Sequence, residues 1–143
     1  MRARFEAELA ALGVGGDALD EAARRVEDAI AGTLRDTRGR WLFDPTHGEA
    51  ASELALTTRV DGDVRRIAID RTFVADGVRW IVDFKTSRHE GSDTEAFLAS
   101  ERLRHAPQLE RYARALAAID SRPIRLALYY PLLARLVDWA FAR

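Results

Sequence analysis

The stretch Ile69–Ser87, "IDRTFVADGVRWIVDFKTS", constrains this chain more than any other. Asp76-Gly77 separates two half-apolar runs and suits a two-residue turn of the I′ type. With those residues as the loop, Ala75 pairs with Val78, and counting outward sets Asp70 directly opposite Asp83. Opposite residues of an antiparallel pair share a face, with Cβ atoms about 4.5–5.5 Å apart. Lys85 lies two residues beyond Asp83 and joins that face. The alternation puts Ile69, Phe73, Trp80, Val82 and Phe84 on the other face as a core, with Arg71 as its one misfit. One hairpin thus gathers two carboxylates and an ammonium among apolar neighbours.

Two facing carboxylates repel, so one takes up a proton or the strands part. A divalent cation removes the conflict, and carboxylate oxygens with open positions for water suit magnesium or manganese. An ammonium beside them is placed to hold water or to steady an anionic transition state. The alternative is a surface salt-bridge cluster of Asp70, Asp83 and Lys85. Lysine usage bears on the choice: the 22 basic residues are 21 arginines and Lys85 alone. Codon bias can produce that count. So can a position that needs a compact ammonium where a planar guanidinium fork would not serve.

Composition bounds the rest. The 143 residues suit one domain with a real core, 48% hydrophobic and 31% charged, as in a globular protein. No apolar run reaches membrane-spanning length, so no membrane is expected. There is no cysteine, which excludes disulfides, thiolate zinc sites and cysteine nucleophiles and fits a cytoplasmic setting. The net charge of −1 does not announce a nucleic-acid binder, so any such role needs a local basic patch. No G-x-x-x-x-G-K-[ST] phosphate loop is present, so no ATP-driven motor resides in these residues.

Periodicity predicts helices over 3–12 and 17–36, the second with Asp17 as a cap and an apolar stripe of Leu19, Ala23, Val26, Ile30 and Leu34. "RDTRGR" ends it, and 41–51 reads as a loop. Strands follow over 52–60, 65–75 and 78–86, then a helical region over 94–119 in which Pro107 can begin a new helix. Residues 124–130 read as a strand, and 132–142 is open between helix and strand. The expected fold class is α/β, a mixed sheet with an antiparallel meander flanked by helices. The expected organisation is a single domain, with 1–40 helical and 52–130 as its core.

"IDR", "WIVDFKTS" and the downstream "QLERY" resemble the RecB-type branch of the PD-(D/E)xK nuclease superfamily. More narrowly, they resemble the C-terminal nuclease domain of bacterial helicase–nucleases of the RecB and AddA kind. A lone Asp-x-Lys is a weak signal; an upstream Asp, Asp-x-Lys-Thr on a strand and Gln-x-x-x-Tyr on a following helix form a specific combination. The resemblance implies a restriction-endonuclease-like core and a magnesium- or manganese-dependent DNA nuclease, expected to be exonucleolytic. It implies a role in double-strand break repair and recombination, in a bacterial, nucleoid-associated setting. Asp70 and Asp83 are then metal ligands, with the carbonyl of Phe84 a possible third, and Lys85 is the catalytic lysine. Gln108 and Tyr112 share a helix face toward the site or the DNA backbone, the alternative being ordinary helix surface. Glu53 matches an upstream acidic position, the alternative being a solvated strand residue. Thr86 supports the loop or a phosphate. Arg111 is the favoured phosphate contact among Arg102, Arg104, Arg111 and Arg114, with Leu109, Ala113 and Leu116 packed inward.

One departure stands out. Nucleases of this branch often carry a metal-binding histidine on an early helix, and neither 3–12 nor 17–36 contains one. His47 is a loop histidine, read as exposed rather than as a substitute ligand. The expectation is therefore a fragment of a longer helicase–nuclease, its helicase core in the same polypeptide or a partner subunit. The competing reading is a catalytically inactive nuclease-like DNA-binding or docking module.

Overall fold

The computed structural model describes residues 2–13 and 15–143. Helices α1 (Arg2–Ala11), α2 (Asp17–Arg35) and α3 (Thr37–Leu42) precede strands β1 (Gly48–Val60), β2 (Asp63–Ala75) and β3 (Val78–Phe84). Helix α4 (Thr94–Ala117) then leads to β4 (Ile124–Tyr130) and β5 (Arg135–Ala140). The five strands lie in the order β1-β2-β3-β4-β5, all pairs antiparallel except β3 with β4. The parallel pair needs a long crossover, and α4 supplies it. The result is the mixed α/β sheet with an antiparallel meander expected from the sequence, consistent with a restriction-endonuclease-like core.

The β2–β3 hairpin has the expected register. Asp76 and Gly77 adopt φ of 51° and 75°, as a I′ turn requires, and Ala75 pairs with Val78. The facing pattern differs from simple alternation. Ile69 belongs to a core shared with Ile81, Leu109, Leu126 and Leu128 under α4. Phe73 belongs to a second core on the opposite face, with Leu42, Val82, Ala127 and Tyr129. The chain therefore changes face between Ile69 and Phe73, next to Glu53, a non-glycine residue of β1 at φ 54°. Arg71, the misfit of the sequence pattern, is accommodated: its guanidinium lies over the Phe43 and Phe73 rings and donates to Leu42 O and Ser52 Oγ.

Other boundaries shift for local reasons. Asp36 accepts from Gly39 N–H and starts α3, so the "RDTRGR" stretch caps a new helix instead of ending in a loop. Gly16, not Asp17, occupies the cap position of α2, and no side chain caps it. Residues 48–51 join β1. Pro107 lies inside a continuous α4, so it starts no new helix. The tail resolves to a strand because β4 offers an edge, where Leu126 pairs with Trp139. His47 is half-buried rather than exposed: its ring stacks on Phe73, with Nε2 2.6 Å from Trp41 O.

Two glycines let the helical layer reach the sheet. A Cβ at Gly32 would strike the carbonyl of Pro131. A Cβ at Gly39 would strike the carbonyl of Thr33 and stand 2.5 Å from Tyr129 Oη, the hydroxyl that donates to Asp36. Gly39→Ala is therefore expected to cost about 1–3 kcal/mol, the usual range for overpacking. Urea unfolding checks this, and an unchanged midpoint would show that α3 can move aside freely.

Candidate active site

The β2–β3 ladder runs from Ala75/Val78 to Arg71/Val82 and stops. At the next position the Asp70 carboxylate accepts from Phe84 N–H at 2.9 Å, a bond that a strand partner would otherwise make. Asp70 is thereby fixed at the point where the strands part. Its carboxyl lies within hydrogen-bonding reach of Asp83. Burial pushes the Asp70 carboxyl above the ordinary carboxylate range, and the facing Asp83 pushes the same way, against the Phe84 amide and the Lys85 charge.

Asp83 is buried, at 7% exposure, on the face that α4 covers. Lys85 Nζ stands 2.6 Å from Asp83 Oδ2. That approach makes an ion pair but not an aligned hydrogen bond, and Oδ2 has no hydrogen-bond partner among the described residues. The ammonium is the partner of this buried oxygen and offsets part of the cost of burying the carboxylate. Lys85 is held by its backbone, which donates to Tyr129 O at 2.8 Å.

Helix α4 closes the site from the side. Glu101, His105, Gln108 and Tyr112 recur at steps of four, three and four, hence on one face. Gln108 Nε2 donates to Tyr112 Oη at 2.8 Å, and Tyr112 is buried, so this pair is not ordinary helix surface. Glu101 is buried as well, with His105 Nε2 3.4 Å from its carboxylate. Burial holds the His105 imidazole below its usual value, and the nearby charge of Lys85 adds to that. Tyr130 is buried as well: burial raises its hydroxyl, followed by the charges of Glu101 and Asp83. Glu101, His105 and Tyr130 were not singled out from the sequence. The signal was present for two of them, since continuing the Gln108–Tyr112 spacing backwards along α4 reaches His105 and Glu101.

The remaining expected residues are spread out. Glu53 lies level with Asp70, between the pairs Ser52/Arg71 and Leu54/Ile69, but it is exposed. Thr86 is exposed on the opposite face, where it lines an apolar cavity of about 290 Å³ with Phe84, Phe43 and Ile30. Arg111 is exposed and lines a cleft beside β1 and β2. Among the described residues, no group of three or more His, Asp or Glu side chains is arranged to hold a metal ion. Two facing carboxylates, whose proximity and burial oppose the ionisation of Asp70, still fit a hard cation that draws most of its shell from water and substrate oxygens. No helix among the described residues is long and apolar enough to cross a membrane.

No curated protein matches the sequence. Among solved structures, the crystal structure of SSO0001 aligns with 19% identity and a TM-score of 0.44, over 99% of this chain and 62% of that one. The chain thus spans less than two thirds of that protein, and a likeness this distant carries no argument about function. The family comparison is decisive, because its match covers almost every residue described above, including both aspartates, Lys85 and the whole of α4. Residues 1–138 match the PD-(D/E)XK nuclease superfamily, and the chain belongs to that superfamily.

Proposed function

We propose that this chain is a magnesium- or manganese-dependent DNA nuclease domain, exonucleolytic, working in double-strand break repair within a longer helicase–nuclease. Membership of the nuclease superfamily supports the reaction class. The RecB-type resemblance of the Asp-x-Lys-Thr and Gln-x-x-x-Tyr motifs supports the finer reading, with the Gln108–Tyr112 bond as its structural counterpart. The observation that carries the reaction is the buried Asp83 carboxylate, facing Asp70 and paired with the Lys85 ammonium.

Asp70 and Asp83 would hold the cation, with the carbonyl of Phe84 as a further donor. When bound, a divalent cation neutralises the scissile phosphate and makes water a better nucleophile. The chain's own part is positional. The Phe84 amide orients Asp70, and α4 excludes bulk water from one side of Asp83. Lys85 would donate from its ammonium to the attacking water or to the phosphate oxygens, orienting the water or stabilising the charge that develops there. Gln108 and Tyr112 fix the helix face that borders the substrate, and Thr86 and Arg111 are proposed to meet the DNA backbone. Glu53 would add a third carboxylate only by turning inward from its exposed position.

Titration calorimetry with manganese tests the assignment. One or two sites are expected in the wild type, and Asp83→Ala is expected to remove the main one. Equal binding by both proteins would reject it. One observation favours a second reading, a nuclease-like DNA-binding module without turnover: the described residues supply only two converging carboxylates. DNA binding without metal-dependent cutting would select that reading.

A further inference from the structure

The β1–β2 ribbon runs past the end of β3. The β2–β3 ladder stops at Arg71/Val82, whereas β1 and β2 stay paired from Leu54/Ile69 to Val60/Asp63. This free half of the ribbon extends beyond the strand end that carries Asp83 and Lys85. Leu56 and Ile67 pack against the core under α4, so helix and ribbon face each other. Between them is a cleft of about 500 Å³, lined by Arg65, Arg66 and Arg111 with Thr58, Ile67 and Tyr112 and by no carboxylate.

The arginines of this cleft differ from most others in the chain. Arg79, Arg122, Arg125 and Arg135 are each paired with a carboxylate. Arg65, Arg66 and Arg111 are exposed, and among the described residues none of them has an ion-pair or hydrogen-bond partner. Arg65 shares the strand face of Thr58 and Ile67, with Arg66 next to it on the other face, so Arg65 and Arg111 bring two like charges to one cleft, and these repel until an anion enters. In a chain with net charge −1, such a local concentration is what attraction of a polyanion requires. The cleft is also joined to the site: Tyr112 lines it, and its hydroxyl accepts from Gln108 on the face shared with His105 and Glu101.

From this we infer that the ribbon and α4 form a clamp for the phosphodiester backbone of DNA, set apart from the carboxylates. Arg65 is five residues from Asp70 along β2, about 17 Å at the rise of a strand. That separation corresponds to about five nucleotides along one strand of duplex DNA. Contacts of this kind fix position and carry no base specificity. The inference rests on the nuclease reading for its substrate but makes a claim that binding alone can test.

The test compares the wild type with the double variant Arg65→Ala/Arg111→Ala. Binding to two unrelated fluorescent 24-base-pair duplexes is followed by anisotropy against salt, without divalent metal. The variant is expected to lose about two units of log–log salt slope on both sequences, roughly 0.9 per lost phosphate contact. Arg25→Ala, on the exposed side of α2, is expected to leave the slope unchanged. An unchanged slope in the double variant, or no binding by the wild type, overturns the clamp. Loss of slope in the double variant, with a wild type that binds but never cuts DNA, supports the clamp and rejects the nuclease reading. Where the wild type cuts, the variant is expected to be impaired on the duplex but not on bis(4-nitrophenyl) phosphate, which is too small to reach Arg65. An equal defect on both would place the arginines in support of the fold and overturn the clamp.

Discussion

Replacing Lys85 by alanine is expected to slow DNA hydrolysis about 10²–10³-fold, the usual cost of removing one group aimed at developing charge. The fold is expected to survive. Lys85 belongs to neither core cluster, and its backbone bond to Tyr129 does not depend on the side chain. Lys85→Arg is expected to fail as well. Nζ lies 2.6 Å from the buried Asp83 carboxylate. A guanidinium there would spread its charge over a wider, planar fork that cannot replace a compact ammonium. Circular dichroism should show native spectra for both variants, and cleavage of end-labelled DNA reads the rates. An active Lys85→Ala protein would leave the ammonium as a partner of Asp83 with no part in the chemistry.

Asp70→Asn is expected to do two opposite things. Cleavage should be lost, because the amide cannot serve as an anionic ligand. The metal-free fold should gain a few degrees of Tm. Burial and the facing Asp83 raise the native Asp70 carboxyl above its unfolded value, so ionising it destabilises the fold. The stability linked to the protonated carboxyl is complete below the unfolded range, near pH 4, and is lost as pH rises through the raised native value. The asparagine oxygen can still accept from Phe84 N–H while carrying no charge. The difference in Tm should therefore be present at pH 7 and vanish at pH 3–4, where the wild type is itself neutral. Manganese should restore stability to the wild type and leave the variant unmoved. A lower Tm for the variant at pH 7 would show that the carboxylate stabilises the fold without any cation.

The hairpin was legible because its information is local. Asp76-Gly77 specifies a tight turn, the turn specifies the pairing, and the pairing sets Asp70 level with Asp83. The change of face between Ile69 and Phe73 was not legible. It accompanies a β1 irregularity at Glu53, and nothing about a glutamate announces φ 54°. The strand character of 135–140 was hidden for a different reason, since its apolar pattern fits either period and the free edge of β4 decides. Helix α4 shows the limit most clearly. Gln108 and Tyr112 were found by their motif. Glu101 and His105 lie on the same face, yet a charged residue on a helix is usually solvated, and only the sheet packed beneath shows that Glu101 is buried. The arginine cleft needed the ribbon and the helix together, as Arg65 and Arg111 are 46 positions apart in the sequence.

The most direct measurement is the rate at which the wild type and Asp83→Ala cut an end-labelled DNA duplex, side by side, with magnesium and with excess chelator. Asp83 is buried at the centre of the cluster, between Asp70 and Lys85, so its removal takes away the proposed reaction without touching the substrate-binding face. The expected result is cutting by the wild type with magnesium, none with chelator, and none by the variant under either condition. Cutting by Asp83→Ala at the wild-type rate would contradict the assignment of this site.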